Sequence, residues 1–112
     1  MSHATLAYSG TPTLRVSVSE QTGHTLVALC GDLDVGSAPL LDETLERLRK
    51  AGRRSVVVDL SGLTFLDGAG LATFIKARRA FQAVGAELVL REPSVPACRL
   101  LALADEADLD IR

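Results

Sequence analysis

Histidine and cysteine are scarce in this 112-residue chain and there is no excess of basic charge, and each lack closes off a kind of chemistry. The two histidines are His3, in the N-terminal lead-in, and His24, beside a turn glycine. Neither stands at helical or strand spacing from a second ligand, so the pattern offers no imidazole pair for a metal. A nucleophilic triad would have to recruit His24, a turn residue. The two cysteines, Cys30 and Cys98, form no CxxC motif and no disulfide framework. They read as two buried thiols of a cytoplasmic protein. With a net charge of -2, the chain shows no electrostatic footprint for nucleic acid, and Arg53-Arg54 and Arg78-Arg79 are isolated pairs rather than a phosphate track. No apolar run approaches the roughly 20 residues that cross a bilayer. The opening "MSHATLAYSGTPT" has neither the basic start nor the apolar stretch of a secretory signal, and reads as a flexible lead-in over residues 1–13.

What is present is globular. Apolar residues make up 47% and charged ones 23%, enough for one core in a single domain over residues 14–112. "LRVSVSE" alternates strictly from Leu14 to Glu20, the mark of a strand with one wet face, and "TLVALCG" follows a Gly23 turn as its hairpin partner. "SAPLLDETLERLRKAG" reads as a helix: Ser37 to cap it, Pro39 in its first turn, Gly52 to stop it. Its apolar stripe is Leu41, Thr44/Leu45 and Leu48, and Glu43–Arg47 and Glu46–Lys50 form outward i,i+4 pairs. "SVVVDL" is a short interior strand, and "SGLTFLD" connects it to a helix from Gly68 to about Ala83 with an inner stripe of Leu71, Phe74, Ile75, Ala77 or the stem of Arg78, and Phe81. "AELVLR" is another strand, and "EPSVPACRLLALA" turns into a short helix near Pro96. The acidic tail "DEADLDIR" carries two apolar anchors, Leu109 and Ile111.

This order predicts an α/β domain. An antiparallel opening hairpin joins parallel βαβ units in one mixed sheet of four to five strands, with helices packed on it. The first strand's edge is exposed and offers a route to a homodimer.

Phosphate-cradling loops of the GxGxxG and GxxxxGK[ST] types are absent. Asp32, Asp34 and Asp67 could converge at strand ends and hold Mg²⁺, but solvated strand-end carboxylates are commoner. On residue chemistry the chain reads as a non-enzyme without cofactor or metal. Its oddest stretch is "TFLDGAGLATF", Thr64 to Phe74, where Asp67 is placed to cap a helix whose first residues are Gly68, Ala69 and Gly70. A helical glycine costs roughly 0.8–1 kcal/mol relative to alanine. Two readings account for such a bare turn: close packing of the helix end on the sheet, or a partner protein approaching the backbone at the corner beyond a strand's carboxyl end.

The blocks "CGDLDVGSAPLLDETL", "VVVDLSGLTFLDGAGLATFIKARRAF" and "AELVLREPSVPACRLLAL" resemble, in order, the STAS domain in its bacterial anti-sigma factor antagonist branch. The resemblance runs from about Leu14 to Leu109. It implies a partner-switching module that binds an anti-sigma factor, often a serine kinase of the histidine-kinase-like ATPase fold, and so frees a sigma factor. In that family the kinase phosphorylates a hydroxyl just before the final glycine of D-S-S-G or D-S-T-G, and the antagonist lets go. Here that place is Ala69, preceded by Gly68. The resemblance therefore implies an antagonist that is not switched at the usual position, with Ser61, Thr64 and Thr73 as weaker substitutes. Asp34 and Asp67 match acidic positions around the switch and, with Gly68, Ala69 and Gly70, are expected at the interface; Asp32 stands where glutamate is usual. The alternative use is as a STAS subunit of a lipid-transport ABC complex or a stressosome-like assembly.

Overall fold

The computed structural model describes residues 4–105 and 107–112, with side chains from residue 10 onward. His3 lies outside the described residues. The elements run β1 (Ala4–Gly10), β2 (Leu14–Gln21), β3 (His24–Leu33), α1 (Ala38–Lys50), β4 (Ser55–Leu66), α2 (Gly68–Ala83), β5 (Glu87–Arg91) and α3 (Val95–Leu101). They form a five-stranded sheet in the order β1-β2-β3-β4-β5. The first two pairings are antiparallel and the last two parallel, as βαβ crossovers through α1 and α2 require.

Strand alternation builds the core. Leu14, Val16 and Val18 of β2 align with Val27 and Leu29 of β3, Val56, Val58 and Leu60 of β4, and Leu88 and Leu90 of β5, all buried in one cluster. From above this layer come Leu41, Leu45 and Leu48 of α1, Phe74, Ala77 and Phe81 of α2, and Ala97 and Leu101 of α3. The intervening strand residues Ser17, Leu26, Ala28 and Val57 are only partly covered. β3 and β4 therefore bury one face, although their continuous apolar runs suggested two.

Several expectations need correction. The lead-in over residues 1–13 contains β1, which pairs with β2 from Ala4↔Glu20 to Gly10↔Arg15. That pairing occupies the edge of Leu14–Gln21 and closes the dimerisation route proposed through it. β4 does not stop at Leu60: it continues to Leu66, because "SGLTFL" pairs with the end of β3 through two register shifts. Ser61 and Thr64 are thus strand residues, not loop residues. On α1, Glu46 pairs with Arg49 at 2.7 Å rather than with Lys50, and that guanidinium holds the Glu46 carboxyl below the usual carboxylate range. Both cysteines are exposed, not buried. Of the tail's anchors, Leu109 is buried, whereas Ile111 is exposed and contributes backbone instead, forming a bridge with Leu90.

Phe74 is fully buried where α2 crosses the sheet. Replacing it with alanine should cost about 3–5 kcal/mol of unfolding free energy, measured by urea titration.

Candidate functional site: the corner where α1 and α2 begin

β3 and β4 end side by side, with Leu33 paired to Leu66, so the starts of α1 and α2 meet at one corner. Asp67 caps α2: its Oδ1 accepts from the backbone N–H of Ala69 at 2.9 Å and of Gly70 at 3.1 Å. A carboxylate there satisfies helix-end donors and sits favourably against the helix dipole. Its second oxygen, Oδ2, accepts from the N–H of Val35 at 3.1 Å, across 32 residues of sequence. One side chain therefore joins the loop before α1 to the tip of α2.

The start of α1 is held differently from the expectation. Ser37 does not cap it. Its hydroxyl turns back, donating to the carbonyl of Asp32 at 2.9 Å and accepting from the N–H of Asp34 at 3.0 Å. Asp34 closes the turn that leads into α1, its Oδ1 accepting from the N–H groups of Gly36 and Ser37, both at 3.0 Å. Asp32 Oδ1 accepts the Thr64 hydroxyl at 2.6 Å. The three acids are close in the fold but each carboxylate is turned to its own local donors. Among the described residues no group of three or more His, Cys, Asp or Glu could hold a metal ion.

The two glycines separate cleanly. A Cβ on Gly68 would meet nothing within 4 Å, so this position is open to approach. A Cβ on Gly70 would lie 2.5 Å from Leu66 Cδ1 and 2.8 Å from Leu33 Cγ. Gly70 is buried, and its bareness serves packing of the helix end on the sheet. It belongs to the inner stripe, which runs Gly70, Thr73, Phe74, Ala77, Phe81; Leu71 and Ile75 are only partly buried. Thr73, a suggested substitute for modification, is 9% exposed and donates its hydroxyl to the carbonyl of Ala69 at 3.0 Å. Ser61 and Thr64 are exposed.

Two residues at this corner went unnoticed in the sequence. Val35 is 75% exposed and Phe65 48% exposed. Val35 opens a shallow groove between α1 and α2, lined also by Ala38, Pro39, Ala69 and Ala72 and bounded by the Asp42–Lys76 ion pair. The available signal was an apolar residue inside the turn-forming run "DVGS", where a polar one would be ordinary.

A mixed sheet with helices on one face, and a capped, side-chain-poor helix tip beside a small apolar groove, defines an α/β domain with one distinctive corner. The model of the STAS domain family matches residues 15–109, and the chain belongs to that family. Among curated relatives, the anti-sigma-B factor antagonist of Staphylococcus aureus is 29% identical over 96 residues, covering 86% of this chain and 89% of its own length. An anti-sigma factor antagonist from Mycobacterium paratuberculosis superimposes with a TM-score of 0.69 at 21% identity, covering 85% of this chain and 81% of that one. The anti-sigma factor antagonist SpoIIAA in its unphosphorylated form gives 0.71 at 15% identity, covering 87% of each chain. The phosphorylated form of SpoIIAA from Bacillus gives 0.67 at 16% identity, covering 87% of this chain and 90% of that one.

The glycine pair yields a direct comparison. Gly70→Ala should lower stability by about 1–3 kcal/mol, the range for forcing a methyl into a filled core. Gly68→Ala should leave it unchanged or raise it by up to about 1 kcal/mol. Urea denaturation of the two variants measures the difference.

Proposed function

We infer that this chain is an anti-sigma factor antagonist acting in the cytoplasm. It binds an anti-sigma factor of the kinase-like type through the α2 tip and so releases a sigma factor. The reading rests on family membership, on the named function of its relatives, and on the half-exposed Ala69 at the tip that Asp67 caps. That alanine is the observation that carries the proposal. A phosphate at this position would place nearly two negative charges next to the Asp67 carboxylate and against a partner surface, where repulsion and desolvation oppose binding. Alanine has no hydroxyl to accept it. The antagonist therefore stays in its binding form while the partner's kinase is active.

The buried Thr73 hydroxyl supports the same reading, since it is tied to the Ala69 carbonyl within the helix. Thr64 and Ser61 are exposed but lie on β4, at the two register shifts of its pairing with β3, and the Thr64 hydroxyl is bonded to Asp32.

The complex with a kinase-like anti-sigma factor should survive addition of ATP. Ala69→Ser should make it dissolve with ATP, and Ala69→Glu should weaken it at least tenfold without ATP. Size-exclusion chromatography and calorimetry of the three proteins measure this. A wild-type complex that ATP dissociates, with phosphate found elsewhere on the chain, overturns the reading.

A further inference from the structure

The acids at the corner look at first like a charged contact surface, but their hydrogen bonds tell against that role for Asp67. Both of its carboxylate oxygens are engaged, Oδ1 by Ala69 and Gly70 and Oδ2 by Val35. Its backbone N–H is engaged as well, donating to the carbonyl of Leu33 at 3.2 Å. Besides the exposed Thr64, whose hydroxyl is tied to Asp32, the corner turns outward Val35, Phe65, Gly68 and part of Ala69.

We propose that Asp67 is a positioning residue: by bonding the Val35 N–H while capping α2, it holds the exposed Val35 side chain in fixed register with the helix tip, and Val35, not the carboxylate, meets the partner. The proposal rests on the anti-sigma factor reading for the identity of that partner. Its physical basis is independent of it. The segment from Val35 to Ser37 is a turn whose other side-chain fastenings, Asp34 to Gly36 and Ser37 and the Ser37 hydroxyl to the Asp32 carbonyl, hold it to itself and to the end of β3. The Asp67–Val35 bond is the side-chain tie that crosses from this turn to α2. Without it the helices keep their places on the shared core and the Asp67 N–H still meets the Leu33 carbonyl, but the Val35 amide loses its direct link to the start of α2. Val35 is 75% exposed, so a partner that covers it removes apolar surface from water. Fixing it beforehand lowers the ordering entropy that a partner must otherwise overcome on binding.

Serine is a good helix cap with a single side-chain oxygen, so Asp67→Ser can keep the cap and remove the bridge. Asp67→Asn provides a second test, because it puts an amide N–H₂ group where one of the two acceptor oxygens stood. Hydrogen exchange read residue by residue should show the Ala69 and Gly70 amides still protected in Asp67→Ser, with Val35 exchanging at least tenfold faster. Unchanged exchange at Val35 in both variants overturns the proposal.

Affinity is then measured for the kinase-like anti-sigma factor that wild type binds, using Asp67→Ser, Val35→Ser and the double variant. Each single change should weaken binding about tenfold, and the double variant should be little worse than either, because both remove the same placed contact. Losses that multiply in the double variant show that Asp67 touches the partner itself, and overturn the proposal. Ala69→Arg separates the two levels. If arginine at the tip leaves affinity unchanged, the corner is not the interface and the functional reading fails, while the Val35 exchange rate still decides the fastening.

Discussion

The contact between Gly70 and the leucine pair Leu33 and Leu66 sets the geometry of this corner. Those leucines are the last paired residues of β3 and β4, so whatever packs on them sits directly over the sheet's end. Only a residue without a Cβ lets the helix axis come this close. Once α2 is there, Asp67 lies within reach of its own helix amides on one side and the Val35 amide on the other. The cost of a helical glycine is offset here by buried leucine surface and a hydrogen bond between distant parts of the chain.

The rest of the domain makes that arrangement rigid. The helices share one face of the sheet and one core, so the two helix starts cannot move apart without disturbing Phe74, Leu41 and the strand residues beneath them. β4 contributes by its length. Its extension to Leu66 carries Thr64 and Phe65 up to the corner, and Thr64 is pinned by Asp32 of the neighbouring strand. The corner is thus built from residues whose polar groups face one another while small and apolar groups face out.

Much of this was legible before any coordinates, and the exceptions have physical causes. α1 was clear because Leu41, Thr44, Leu45 and Leu48 repeat at helical spacing on a helix with a polar outer face. The capping role of Asp67 was clear because an acid before a helix has few better uses. The α2 stripe is legible at Phe74, Ala77 and Phe81, with Leu71 and Ile75 packed at its margin, but Gly70 and Thr73 escape notice because neither carries an apolar signal. The outer half of β4 was hidden by Ser61, Gly62 and Thr64, which resemble a loop until β3 supplies pairing partners. β1 was hidden for a similar reason, since "ATLAYSG" is short and ends in turn residues. The thiols were misjudged because cysteine is usually buried, and nothing local announces that Cys30 and Cys98 fall on exposed positions. Ser37 leaves α1 without a side-chain cap because its hydroxyl turns to the Asp32 carbonyl, a detail set by side-chain rotation rather than by residue type.

Ala69 also bears on how such a protein would be governed in its cell. On the proposed reading, release cannot be commanded by charging the tip, so there is no fast covalent reset. Control passes to dosage: synthesis and turnover of the chain, set against the concentration of its target and their dissociation constant, decide how much target is sequestered. A threshold in copy number then does the work that an enzyme pair performs in a chain with a hydroxyl at that spot.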